Sequence, residues 1–210
     1  MGEGTLKLTN HLDDLIQQFP ALESCRKDIE SAFVALARCF RRGKKILLCG
    51  NGGSAADCEH WSAELTKGFQ NRRPLSAQWR EKLGAELGGK LQGALPAIPL
   101  PSLMCLSTAF ANDVDPEMVF AQGVWALGAE GDLLVGISTS GNSTNVLLAA
   151  EVARAKGLAT IGLTGESGGK LAGLVQTCIR APETEVHRVQ QYHLPIYHCL
   201  CLMLEAEFFS

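Results

Sequence analysis

No stretch of the 210-residue chain reaches the ~20 consecutive apolar residues that a bilayer-spanning helix needs, so no membrane association is expected. Met1-Gly2-Glu3-Gly4 lacks a basic stretch followed by an apolar one, and no signal peptide is expected either. Basic residues form no stripe: 19 Lys and Arg are interspersed with 22 Asp and Glu, for a net charge of −3. That argues against a nucleic-acid partner but not against an anionic metabolite, which backbone amides and hydroxyls can hold. None of the eight cysteines, Cys25, Cys39, Cys49, Cys58, Cys105, Cys178, Cys199 and Cys201, belongs to a Cys-x-x-Cys pair. Most lie in apolar runs such as Ile46-Leu47-Leu48-Cys49. They read as reduced, buried thiols of a cytoplasmic protein rather than a disulfide framework or zinc–thiolate site. Internal repeats and low-complexity tracts are also missing.

What is present is a 46% apolar composition, enough for a sizeable core, and 22 glycines, suited to many tight connections. The length suits one α/β domain with an accessory helical segment. Residues 8–41 read as two helices broken near Phe19-Pro20, the second carrying Ile29, Phe33, Leu36 and Phe40 at helical spacing. This segment, residues 1–43, is expected to pack on the core or on a partner subunit, ahead of a main domain over residues 44–210. From Lys44 onward short apolar runs alternate with glycine turns and helices. Lys45–Cys49, Ala97–Leu100, Leu103–Ser107, Asp132–Thr139, Ala159–Thr164 and Thr177–Arg180 read as extended. Helices are expected from the first glycine loop to about Phe69, from Ser143 to near Gly157, and from Thr184 to Phe208. Ser76–Leu95 carries Trp79, Leu83, Leu87 and Leu91 at intervals of four, an amphipathic pattern weakened by Gly84, Gly88 and Gly89. The alternation predicts a parallel sheet covered on both faces, with ligands beyond the carboxyl ends of its strands.

Four motifs carry candidate chemistry. Cys49-Gly50-Asn51-Gly52-Gly53-Ser54 turns a strand end into a helix, with glycines that admit a ligand to the backbone and helix N-terminal amides that attract an anion. It is neither a Walker A loop nor a dinucleotide fingerprint, and alone it reads equally as a tight turn. Ile137-Ser138-Thr139-Ser140-Gly141-Asn142-Ser143 puts four hydroxyls around one glycine before a second helix, a candidate phosphate ring as well as ordinary capping chemistry. His60 and Glu64, at i and i+4, share one helix face and could share a proton or a metal, though alone they read more readily as a surface pair. Glu64 stands among Ala63, Leu65 and Thr66, and burial suits a carboxylate to general-base work. Finally, Gln190-Gln191-Tyr192-His193-Leu194-Pro195-Ile196-Tyr197-His198 gathers two histidines beside His187 just ahead of an apolar run, where a histidine reads more readily as a satisfied core residue than as a catalyst; the two anion loops favour the catalyst.

These stretches, with Leu163-Thr164-Gly165 and Gly168-Gly169-Lys170, resemble the SIS (sugar isomerase) domain family over about residues 44–200, most closely its phosphoheptose isomerase branch. The resemblance implies a three-layer, flavodoxin-like α/β fold with a five-stranded parallel sheet plus N-terminal helices. It also implies homotetramers with active sites at subunit interfaces. The implied activity is aldose–ketose isomerisation of D-sedoheptulose 7-phosphate to D-glycero-D-manno-heptose 7-phosphate, a step of bacterial heptose-nucleotide synthesis. By position, Ser138, Thr139, Ser140 and Ser143 are expected to hold the phosphate. Asn51, Gly52, Gly53, Ser54, Asn112, Asp113 and Gln190 are expected to line the substrate site, with Glu64 and His198 as the acid–base pair. His60, Glu64, Gln190 and His198 match positions credited with binding zinc, one per subunit.

The chain departs from that pattern between Pro74 and Pro96, where it is about twenty residues longer, and at Pro195, which falls between Gln190 and His198. Those two residues are eight apart, roughly 12 Å along one straight helix, so their sharing an ion requires a bend or a second subunit. Three alternatives stand beside the isomerase. One is a non-catalytic phosphosugar sensor or replication-initiator adaptor of the same family, in which the adaptor type lacks the Glu and final His. Another is an isomerase of another phosphosugar, such as a hexulose or arabinose phosphate. The third is a structural oligomerisation domain.

Overall fold

The chain is described by a computed structural model covering residues 3–209, with side chains from Asn10 onward. In chain order it forms α1 (Glu3–Gln18), α2 (Arg26–Arg41), β1 (Ile46–Gly50), α3 (Gly53–Thr66), α4 (Ala77–Lys90), β2 (Ala97–Pro99) and α5 (Met104–Asp113). There follow α6 (Val119–Leu127), β3 (Leu133–Ile137), α7 (Thr144–Ala155), β4 (Ala159–Thr164), α8 (Leu171–Leu174), β5 (Thr177–Arg180) and α9 (Val186–Phe209). A 3₁₀ turn over Pro20–Cys25 separates α1 from α2, at the break expected there.

The five strands make one parallel sheet in the order β2-β1-β3-β4-β5. Every residue of β1 and β3 is buried, as expected of interior strands covered on both faces. Alternate side chains feed two cores. Ile46, Leu48, Leu133, Val135 and Ile137 pack with α1, α2, α3 and α9, whereas Leu47, Cys49 and Leu134 pack with Phe120, Val124, Val146 and Ala149 of α6 and α7. Burying each of these aliphatic chains contributes roughly 1.5–3 kcal/mol, and that sandwich fixes where the strand ends stand. Leu12, Leu15, Ile29, Phe33 and Leu36 join the first core, so α1 and α2 pack on the sheet domain of their own chain.

Three local readings change. Leu103–Ser107 is not extended but opens α5: four consecutive apolar residues do not distinguish a strand from a helix, and the Ser107 amide donates to the Leu103 carbonyl at 2.9 Å. α3 stops at Thr66 rather than near Phe69. The amphipathic stretch becomes α4, broken at Gly84 (φ 79°), with Trp79, Leu87 and Leu91 exposed. Pro195 is accommodated inside α9. Among the described residues no helix is long and apolar enough to cross a membrane. All eight thiols are free; six are buried, Cys178 is half-buried and Cys105 is exposed.

Candidate active site

The order β2-β1-β3 reverses direction between β1 and β3, and in such sheets the crevice beyond those two strand ends is where ligands bind. Both glycine–hydroxyl loops stand there, because β1 and β3 pair through Gly50 and Ile137. The two loops are tied: Asn51 Nδ2 donates to Asn145 Oδ1 at 2.8 Å, and Asn145 Nδ2 returns a bond to Asn51 Oδ1 at 3.0 Å. Gly52 holds φ 54° at the start of α3. A β-carbon on Gly53 would run into the side-chain amide of Gln190, which reaches across from α9. Ser54 is buried behind the loop.

The second loop forms a cup. The Ser138 and Ser143 hydroxyls meet at 3.0 Å, Ser140 Oγ accepts from the Asn142 amide at 3.2 Å, and Asn142 Oδ1 accepts from the Lys170 amide at 3.1 Å. Gly141 (φ 65°) lies so close to the Gly168 carbonyl that a β-carbon would overlap it. Ser143 caps α7 without a side-chain bond of its own to that helix. The hydroxyls of Ser138, Ser140 and Ser143 thus stand in one loop at the N-terminus of α7, with Thr139 between them in the chain. A neutral ring of donors at a helix N-terminus binds a phosphate dianion without any basic side chain.

A second cluster forms where α9 runs alongside α3. His60 Nε2 lies 3.3 Å from Glu64 Oε1, and Lys67 Nζ donates to Glu64 Oε2 at 2.7 Å. His60 Nδ1 and the Tyr197 hydroxyl share a hydrogen bond of 2.9 Å, and Tyr197 donates onward to Asp57 at 3.4 Å. The His198 ring stands 5.1 Å from those of both His60 and Phe69. Burial, with the neighbouring His60, holds the His198 imidazole below its ordinary pKa, which favours the neutral, proton-accepting ring. His198 Nε2 is buried without a hydrogen-bond partner among the described residues, and the residue lines a cleft of about 550 Å³ with His11, Asp14 and Gln18 of α1.

The expected acid–base pair, Glu64 and His198, is thus brought together, and so are the two loops, but not with each other. Leu65, next to Glu64, accepts the Leu95 amide at 2.9 Å, beside the start of β2, whereas the cup lies beyond the strands' carboxyl ends. Eleven residues of α3, roughly 16 Å, separate Gly53 from Glu64. Asn112 and Asp113 end α5, exposed and bonded to each other at 2.8 Å, with no hydrogen bond to either group.

The zinc expectation is corrected. Among the described residues no group of three His, Cys, Asp or Glu side chains is placed to hold a metal ion. The reason is the axial separation: Gln190 faces Gly53 at one end of α3, while His60, Glu64 and His198 sit near the other, and Lys67 already takes a Glu64 oxygen. Sequence reasoning missed Asn145, Lys67 and Tyr197. The first two flank motifs that were read and Tyr197 lies within one; what was lacking was the knowledge that α9 lies against α3.

Comparison with known proteins finds relatives over most of the chain. The SIS domain profile matches residues 10–90 and 76–165. The phosphoheptose isomerase of Shewanella denitrificans is 38% identical over 192 residues, 90% of this chain and 88% of that one. The structure of phosphoheptose isomerase from Neisseria gonorrhoeae superposes with a TM-score of 0.72 at 32% identity, covering 94% of this chain and 96% of that one. That from Francisella tularensis gives 0.73 at 30% identity, covering 98% and 99%.

Proposed function

The chain belongs to the SIS domain family, and on that premise we propose that it is a phosphoheptose isomerase, interconverting D-sedoheptulose 7-phosphate and D-glycero-D-manno-heptose 7-phosphate. The observation that carries the catalytic reading, as against a sensor or adaptor, is the convergence of Glu64 and His198 on His60, at 3.3 Å and 5.1 Å respectively.

The reaction moves a proton between C1 and C2 through an enediol, while the proton on oxygen changes places. Glu64 takes the carbon-bound proton from one carbon and returns it to the other; His198, neutral and with Nε2 unpartnered among the described residues, serves the carbonyl and hydroxyl oxygens. Ser138, Thr139, Ser140 and Ser143 anchor the phosphate, and Asn51, Gly52, Gly53, Ser54 and Gln190 line the sugar. Asn112 and Asp113 belong to the substrate site only if another copy brings α5 to it.

The same geometry supports a homo-oligomer, and the family resemblance a tetramer. An extended heptose phosphate spans roughly 9–10 Å from C1 to phosphorus, given single bonds near 1.5 Å. A sugar held beyond the strand ends does not reach the far end of α3, so the acid–base cluster that serves it comes from a neighbouring copy. α5, with no buried residue and with Met104 exposed, is available for such packing. A cytoplasmic location goes with this reading, supported by eight free thiols.

Incubation with sedoheptulose 7-phosphate should yield the aldose phosphate. E64Q should abolish turnover while ligand binding at the cup persists. Binding without turnover in the unmodified protein would make the sensor reading the better one.

A further inference from the structure

Resting on the assignment of Glu64 as the carbon base, we propose that Arg73 and Glu205 form a positioning pair that sets the base and the wall of the imidazole in register. Both are sealed from solvent, at 0% and 1% side-chain exposure, and Arg73 Nε meets Glu205 Oε1 at 2.8 Å. A helix ends with carbonyls that have no intrahelical amide. At the end of α3 the guanidinium replaces those amides: Nη1 donates to the Leu65 carbonyl at 2.7 Å and Nη2 to the carbonyl of Glu64 itself at 3.1 Å. The carboxylate of Glu205 gathers the chain that follows. Its oxygens accept the amides of Phe69 at 2.9 Å, Gln70 at 3.0 Å and Asn71 at 2.9 Å. Phe69 is the ring beside His198, and Glu205 stands two turns beyond His198 on α9.

One ion pair therefore fixes the backbone of the base, the aromatic wall of the acid and the helix that carries the acid. A buried ion pair is weak evidence for stability, because apolar side chains of similar volume often hold a fold as well. What apolar groups cannot do is hold two carbonyls and three amides at set distances. The pair lies at the opposite end of α3 from the phosphate cup, so its effect is confined to the chemical step.

The test uses R73K, which keeps the charge facing Glu205 but lacks the fork that reaches the Glu64 carbonyl. With sedoheptulose 7-phosphate, kcat should fall about 10- to 100-fold, the range expected of a misplaced reacting group. KM and the inhibition constant of inorganic phosphate should stay within about twofold, since binding at the cup is uniform to ground and transition states. E205Q, which turns an amide donor toward three backbone amides, should show the same split at temperatures where its circular dichroism is native. Unchanged kcat in a folded R73K overturns the proposal, as does a loss of phosphate affinity in step with kcat. E64Q, assayed alongside, separates the premises: turnover retained there removes the role of Glu64 and the pair's role with it. Turnover lost in E64Q but kept in R73K removes only the positioning role.

Discussion

His193 and His198 stand five residues apart on α9 and illustrate how burial and partners, rather than residue type, decide a role. His193 is fully buried, with Nε2 3.2 Å from the Thr164 carbonyl, and burial pushes its pKa down to about 4. It is a neutral core residue. The unfolded chain binds a proton at this histidine below about 6.5 whereas the folded chain does not until about 4. Folding stability contributed here is thus complete above pH 6.5 and lost as pH falls toward 4, by about 3 kcal/mol. Denaturant unfolding at pH 7 and pH 4 should show that extra loss in the native protein and its absence in H193Q. Parallel slopes would exclude His193 as its source. At the cup, Asn145 acts through Asn51, and N145A should raise KM about fivefold with kcat unchanged, in line with one neutral hydrogen bond. A fall in kcat alone would place Asn145 with the chemical step instead.

At the scale of elements, the strands were legible because burial on both faces writes itself as unbroken apolar runs: Ile46-Leu47-Leu48-Cys49 and Leu133-Leu134-Val135 carry no polar residue to confuse the pattern. The two loops were legible for a related reason, since glycines and hydroxyls cluster where a chain leaves such a run. α5 was not, because a helix with no buried residue has no face for its periodicity to mark. The metal set failed on the eight-residue spacing of Gln190 and His198, which α9 does not bring to one point. Gln190 and His198 share a helix yet serve opposite ends of α3, and nothing in the sequence gives the angle at which α9 crosses the sheet. α4 was read as amphipathic, but its apolar side chains Trp79 and Leu87 face outward. Its base is pinned independently: Pro74 and Gln92 form an antiparallel bridge, Gln92 Oε1 accepts the Gly68 amide at 2.6 Å, and the Gly93 amide donates to Arg73 at 2.6 Å. Replacing residues 77–90 by a two-residue glycine–serine link should therefore leave the melting temperature within a few degrees, because short surface connections close at little entropic cost. Thermal melts with kcat measured beside them check this. A large drop in both would show that α4 supports the body of the protein.

On the scale of the whole molecule, the separation of cup and cluster makes a prediction no single-chain site would share. A subunit carrying S140A and S143A has a damaged cup but an intact Glu64; a subunit carrying E64Q has the reverse. If each working site takes its cup from one copy and its base from another, a mixed oligomer contains sites in which both halves are intact. Random assembly of equal amounts gives about one quarter of sites in that state, in a closed ring where every interface repeats. Each variant alone should be close to inactive. After the two are denatured together, mixed and refolded, activity should return to about one quarter of the unmodified level, with light scattering reporting the same oligomer throughout. The fraction follows from counting halves and does not depend on how fast the intact sites turn over. Mixtures that stay as inactive as their parents, despite proven subunit exchange, would mean that cup and base act within one chain, and the roughly 16 Å along α3 would then have to be closed by movement of α3 and α9 within the subunit.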